Sequence, residues 1–182
     1  MDTALIDQLT ETAARFGQES EASRAQMMTA ARWRQEAILG LQAEGLSVRA
    51  IASRLGVSHT VVQSAVQAAK ARRPAHSRRE DRFPYELHVL VGAKATQRPD
   101  ELRRLARANL AKMRKTPMAP IAERWIDRWS EIIQLPPHQM ADAILEDSEQ
   151  GRDLRQVSPF AGALTQEERM IAMKKARALE AV

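Results

Sequence analysis

Near the middle of the first half of the chain, short polar and amide side chains gather: Ser58, His59, Thr60, Gln63, Ser64 and Gln67. Their chemistry is recognition by hydrogen bonds. A primary amide offers a donor and an acceptor side by side, the pattern that pairs with the edge of a base, adenine above all. Small hydroxyls reach either kind of partner. Such groups act together only if one rigid element presents them on a common face.

The flanking residues specify that element. Ser47 is placed to cap a helix over Val48 to Leu55 by accepting from a backbone N–H left free at the helix start. Gly56 follows, where a tight turn favours a residue that tolerates positive φ. Ser58 then caps a second helix, from His59 to about Ala69. Ile51, Ala52 and Leu55 of the first helix, Val57 in the turn, and Val62 and Val66 of the second are expected to face inward. Ala52 lets the helices approach, since a larger side chain would hold them apart. The polar set stays outside, as a helix entering a major groove requires. Upstream, Arg32 to Gly45 supplies a third helix with Trp33, Ala37, Ile38 and Leu41 along one face.

Taken together, AIASRLGVSHTVVQSAV resembles the homeodomain-like helix-turn-helix of bacterial transcription regulators, resolvase C-terminal domains and sigma-factor region 4. The resemblance covers residues 32–73. It implies a fold that binds double-stranded DNA, with Ser58, His59, Thr60, Gln63, Ser64 and Gln67 at base edges. It also implies backbone phosphate contacts from Ser47, Arg49 and the basic tail that follows.

That tail runs from Lys70 to Arg82 and carries Lys70, Arg72, Arg73, Arg78, Arg79 and Arg82, with Pro74 expected to end the recognition helix. Extended basic arms lie along phosphates or in a minor groove, and their contribution falls with salt. The overall net charge is +5, and its distribution is uneven. Residues 1–31 hold two basic and five acidic residues, 32–82 ten and four, 83–120 eight and three, and 121–182 eight and eleven. Positive charge therefore concentrates on and after the motif, where a polyanion would bind.

A chain of 182 residues, 44% hydrophobic but only 4% aromatic, suits one or two small domains. Abundant Ala and Leu and short β-branched runs point to an all-α protein. The expected organisation is an N-terminal helical segment (1–31), a helix-turn-helix domain (32–73), a basic linker (74–82) and a C-terminal helical bundle (83–182). Cysteine is absent, which excludes disulfides and thiolate metal sites and fits a reducing cytoplasm, here beside the nucleoid. No long apolar segment and no signal-peptide pattern occur, so a soluble protein without membrane contact is expected.

In the first segment Leu5, Leu9, Ala13 and Phe16 recur at helical spacing; Gly17 is expected to interrupt, and a second helical run follows from Ser20 to Ala31. An apolar stripe of this kind can pair with a second copy, giving a homodimer or higher homo-oligomer. Beyond residue 83 the expectation is helix throughout. HVLV, in Leu87 to Lys94, is read as helix and not strand because no second strand signal accompanies it. Pro99 opens a helix with Leu102, Leu105, Ala106, Leu110 and Met113 inward. Ile121, Trp125, Trp129 and Ile132 or Ile133 mark the inner stripe of the next, a short helix covers His138 to Leu145, and a capping box of Thr165 with Glu168 opens the last.

The segment SEQGRDLRQVSPFAG is unlike the rest. It resembles an LRQ-x-SPFAG-x-L ending found in small bacterial and phage-related helix-turn-helix proteins, with RANLAKMR and ERWIDRW extending the match. The resemblance implies a shared architecture and no particular activity. Ser158 and Pro159 suit a helix start, Phe160 a core anchor and Gly162 the end of a turn.

Catalytic patterns are missing. His59, His76, His88 and His138 are scattered, with no metal-ligand spacing, and the glycines form no phosphate loop. Glu123, Asp127 and Glu131 alternate with Arg124 and Arg128 as a salt-bridged face would. No enzyme activity, cofactor or metal is expected. The reading is a sequence-specific double-stranded DNA-binding protein, a transcriptional regulator acting as a repressor. A phage small-terminase-like packaging adaptor and an antitoxin whose acidic C-terminal part (Asp142, Glu146, Asp147, Glu149) binds a protein partner stay open as alternatives.

Overall fold

The longest element is one uninterrupted helix, α1 (Thr3–Ala43), about 60 Å long at 1.5 Å per residue. Gly17 does not break it. A glycine in a helix interior costs about 1 kcal/mol relative to alanine, too little to stop a helix whose neighbours Ala13, Ala14, Arg15, Gln18 and Glu19 include strong helix formers. The expected division between residues 31 and 32 thus falls inside α1. The computed structural model describes residues 3–73, 79–115 and 120–178, and the described residues are all-helical, without a strand. No helix among them is long and apolar enough to cross a membrane.

Two short helices follow, α2 (Val48–Leu55) and α3 (His59–Ala71), each with a serine at its start. Ser47 Oγ accepts from Ala50 N at 3.2 Å and Ser58 Oγ from Val61 N at 3.3 Å. Gly56 joins them at φ 63°, a left-handed conformation that glycine adopts without penalty. Ile38 and Leu39 of α1, Ile51 and Ala52 of α2, and Val62, Ala65, Val66 and Ala69 of α3 close one hydrophobic core, with Val57 packed on its edge. Three expected members point elsewhere, Trp33 toward a second core formed by the later helices. Ala37 is exposed and Leu55 is 42% exposed, because Ile38 with Leu39 and Ile51 with Ala52 already occupy the space between the helices.

The remaining helices are α4 (Arg79–Gln97), α5 (Pro99–Met113), α6 (Pro120–Ile132), α7 (Pro137–Ile144), α8 (Glu149–Gln156) and α9 (Gln166–Ala178). Helices α4 to α8 and the loop after α8 build a second core around Trp129, whose indole N–H donates to Leu154 O at 2.9 Å and whose ring makes a T-shaped contact with Phe160 at 5.1 Å. Helix α4 packs against α5, α7, α8 and α9. HVLV is helical within α4, and Pro84 lies inside that helix. Ile126, Trp129 and Ile132 are buried in α6 and Ile133 just after it, whereas Ile121, in the first turn, is 52% exposed. The 157–165 segment is a loop, not a helix start. Phe160 anchors it as expected, and Gly162 turns at φ 84°.

Helix α1 serves both cores. Trp33, some 140° around the helix from Ile38, packs on the second core against Gly92, where a Cβ would stand 2.8 Å from the indole.

Candidate nucleic-acid interface

Helix α3 meets the rest of the chain through Val62, Ala65, Val66 and Ala69. The opposite side carries Ser58, His59, Thr60, Gln63, Ser64 and Gln67, every one exposed. Gln63 and Gln67 stand one turn apart, with Thr60 and Ser64 in the adjoining row. Five of the expected polar set therefore share a single face, and Ser58 sits at its start as the cap. Apart from Ser58, whose hydroxyl caps the helix, these side chains have no hydrogen-bond partner among the described residues. Val61, 41% exposed beside them, is an addition. A valine reads as core from sequence, yet on this face its methyls suit contact with a thymine methyl.

The surround is electrostatically one-sided. No acidic residue occurs between Glu44 and Glu80. Ser47 and Arg49 are exposed at the start of α2, where free N–H groups and the helix dipole favour an anion. Ser47 Oγ accepts from Ala50 N, which leaves its own proton free to donate. Arg54, also exposed, extends this edge, and Lys70 is half-buried in the last turn of α3.

Arg72 and Arg73 turn the other way. The Arg73 guanidinium lies between two buried carboxylates. It donates to Glu36 Oε1 and Oε2 at 2.7 and 2.6 Å and to Glu86 Oε1 and Oε2 at 2.9 and 3.0 Å. Lys175 Nζ completes the cluster, 3.2 Å from Glu36 and 3.0 Å from Glu86. Arg72 donates to Gln35 at 2.6 Å and Glu36 at 3.3 Å, and its backbone carbonyl accepts from the Tyr85 hydroxyl at 3.2 Å. Burial alone would raise the Glu36 pKa, but the Arg73 hydrogen bonds and the charges of Arg73 and Lys175 outweigh it and hold the carboxyl at about 2. Burial likewise disfavours the charged Arg73, and its two carboxylates overcome that and raise its pKa. These arginines thus fasten the end of α3 to α1, α4 and α9. Arg78 lies outside the described residues; Arg79 begins α4, and its side chain is likewise outside them.

Comparison with protein-family models, curated proteins and solved structures gives no match. The geometry alone must carry the argument.

What that geometry can do is bind, with a rigid polar helix face beside unpaired cations. Among the described residues no three His, Asp or Glu side chains gather to hold a metal ion. His59 stands on the polar face, His138 on α7, and His88 is buried in the second core.

Proposed function

We propose that α2 and α3, with the last turns of α1, form a helix-turn-helix that reads double-stranded DNA, and that the chain is a sequence-specific transcription regulator of the repressor type. The observation that carries this reading is the division of α3: four apolar residues buried on one side, five polar residues free on the other, with Ser58 capping the helix start. In the major groove Gln63 and Gln67 are the amides suited to adenine, with Ser58, His59, Thr60 and Ser64 nearer the helix start. Ser47, Arg49 and Lys70 take phosphates, joined by Arg54. Arg72 and Arg73 are left out of the phosphate set because both terminal nitrogens of Arg72 and the whole Arg73 guanidinium already donate inside the protein. A single helix contacts few base pairs, so the proposal includes a dimer or higher oligomer on paired half-sites.

Selection from a random duplex library, read by sequencing, tests it. One enriched sequence, repeated at fixed spacing, is expected. Gln63→Ala should then cost about 1–3 kcal/mol on the selected site and less on unrelated DNA, while Arg49→Gln should weaken both alike. No enriched sequence, or equal losses for Gln63→Ala on both duplexes, overturns the reading.

A further inference from the structure

Between α4, the end of α8 and the 158–164 loop lies a groove of about 410 Å³, within the range of small-molecule sites. Leu87 and Val91 of α4 and Phe160 and Leu164 of the loop give it apolar walls, and Arg155 and Arg169 also line it. No carboxylate lines it. Arg155 is only 6% exposed, yet among the described residues no acidic side chain is in salt-bridge contact with it, and the charges of Asp147 and Asp81 act on it only from farther away. It donates to the carbonyls of Glu146 at 2.9 Å and Ile144 at 3.4 Å and lies 5.4 Å over the Tyr85 ring. Buried charges are normally paired. Arg169 is exposed, and its guanidinium has no partner among the described residues.

His88 and Ser158, also at the groove, do not compete for an anion. A carbonyl only accepts, so the His88 Nδ1 that lies 2.7 Å from Pro84 O carries the proton. Nε2, 2.8 Å from Ser158 Oγ, then accepts the serine's proton. The pair is closed on itself, and the cations are what remains to be satisfied.

We propose that this groove binds a small organic acid with an apolar body, its carboxylate taken by Arg155 and Arg169. The occupant is sensed at the end of α3. Tyr85 lies under the Arg155 guanidinium and donates to the carbonyl of Arg72, the residue that ends α3, while the adjacent Glu86 holds Arg73. An anion that draws Arg155 toward the groove alters the cation held against the Tyr85 ring. The binding site stands apart from the DNA-binding reading; only its regulatory meaning rests on it.

The probe is 4-phenylbutyrate, with the neutral amide 4-phenylbutyramide as its near-isostere, titrated into the full-length protein without DNA and followed by amide NMR. The acid should bind with Kd below about 10 mM and about tenfold or more tighter than the amide. Arg169→Gln should weaken the acid by roughly threefold or more and leave the amide unchanged. It is the variant of choice because its side chain is exposed, whereas Arg155 also caps α7. The signals of Ala71 to Arg73 should move with the same midpoint, and Tyr85→Phe should abolish that movement while keeping the affinity. No binding of the acid, equal binding of acid and amide, or an indifferent Arg169→Gln variant overturns the site. Movement that survives Tyr85→Phe overturns the route to α3. Loss of DNA binding in the selection experiment above, with acid binding intact, would count against the DNA reading alone.

Discussion

Lowering the pH should unfasten the second core through one residue, His88. Its ring is buried, parallel to Trp129 at 6.5 Å, and burial pushes its pKa from the ordinary 6.5 down to about 4, against the raising effect of the Pro84 carbonyl and with help from the Arg155 charge. Between those two values the unfolded chain holds one more proton than the folded chain, so stability falls as the pH falls through this window and is fully present above it. At about 1.4 kcal/mol per pH unit the loss comes to about 3 kcal/mol by pH 4. Protonation also reverses Nε2 from acceptor to donor and breaks the acceptance from Ser158. Urea unfolding at pH 7.5, 6, 5 and 4, compared with His88→Phe, isolates the effect, because the Glu36 carboxyl releases its own contribution only below its ordinary 4.5. The wild type should lose stability across this range, and the variant should lose about 3 kcal/mol less. Direct NMR titration of the imidazole gives the second measure. A His88 titrating at 6 or above, or parallel curves for the two proteins, would refute the argument.

Glu36→Gln should destabilise the fold by about 3–5 kcal/mol, since it leaves Arg73 and Lys175 buried with one carboxylate; chemical denaturation measures it. The two tight glycines should differ. Gly151→Ala puts a Cβ 2.3 Å from the Glu146 backbone oxygen, whereas Gly92→Ala meets the Trp33 side chain at 2.8 Å; the first should cost more than the usual 1–3 kcal/mol of overpacking, about 3 kcal/mol or beyond, and the second about 1–2 kcal/mol, read as a larger fall in melting temperature for Gly151→Ala. On α1, Leu9 and Phe16 are 60% and 55% exposed, so the double change Leu9→Lys, Phe16→Lys should shift the protein to monomer by sedimentation without lowering its melting temperature at high dilution; an unchanged assembly state would remove α1 as the contact between copies.

The parts of the fold that were legible are those whose causes are local. A cap acts over three residues and a helix C-terminus over one turn, so Ser47, Gly56 and Ser58 announced α2 and α3 directly, and the polar face of α3 followed from period alone. The Thr165 and Glu168 pair was visible for the same reason, and each group accepts from the other's backbone N–H, at 3.2 and 2.7 Å. The ion pairs of Arg72 and Arg73 were not legible because what holds them lies in α1, α4 and α9, and no local rule distinguishes an arginine bound for a phosphate from one bound for a buried carboxylate. Gly17 was given more breaking power than its small cost exerts within a long helix. Helix α8 went unseen because Leu154 is its only large apolar residue, and its start is marked by Ser148 alone, which accepts from Gly151 N at 2.9 Å.

The ion cluster itself is better understood as a positioning device than as a source of stability. Replacing buried ion pairs by well-packed apolar residues is often neutral or stabilising, and an apolar core lies close by on either side. What apolar contacts do not supply is direction. A guanidinium bonded in its own plane to two carboxylates fixes both distance and angle, here between the last turn of α3 and helices α1, α4 and α9. Under the proposed function this matters because base reading tolerates little error in how the helix enters the groove. The α2–α3 unit touches the rest of the chain mainly through α1, and a single helix contact leaves rotation about its axis weakly defined. Glu86 and Lys175 add two further points of attachment, which removes that freedom. A Glu86→Gln variant would therefore lose discrimination between the selected and unrelated duplexes by more than it loses affinity for unrelated DNA, even at temperatures where it remains fully folded. Equal losses would assign the cluster to stability alone.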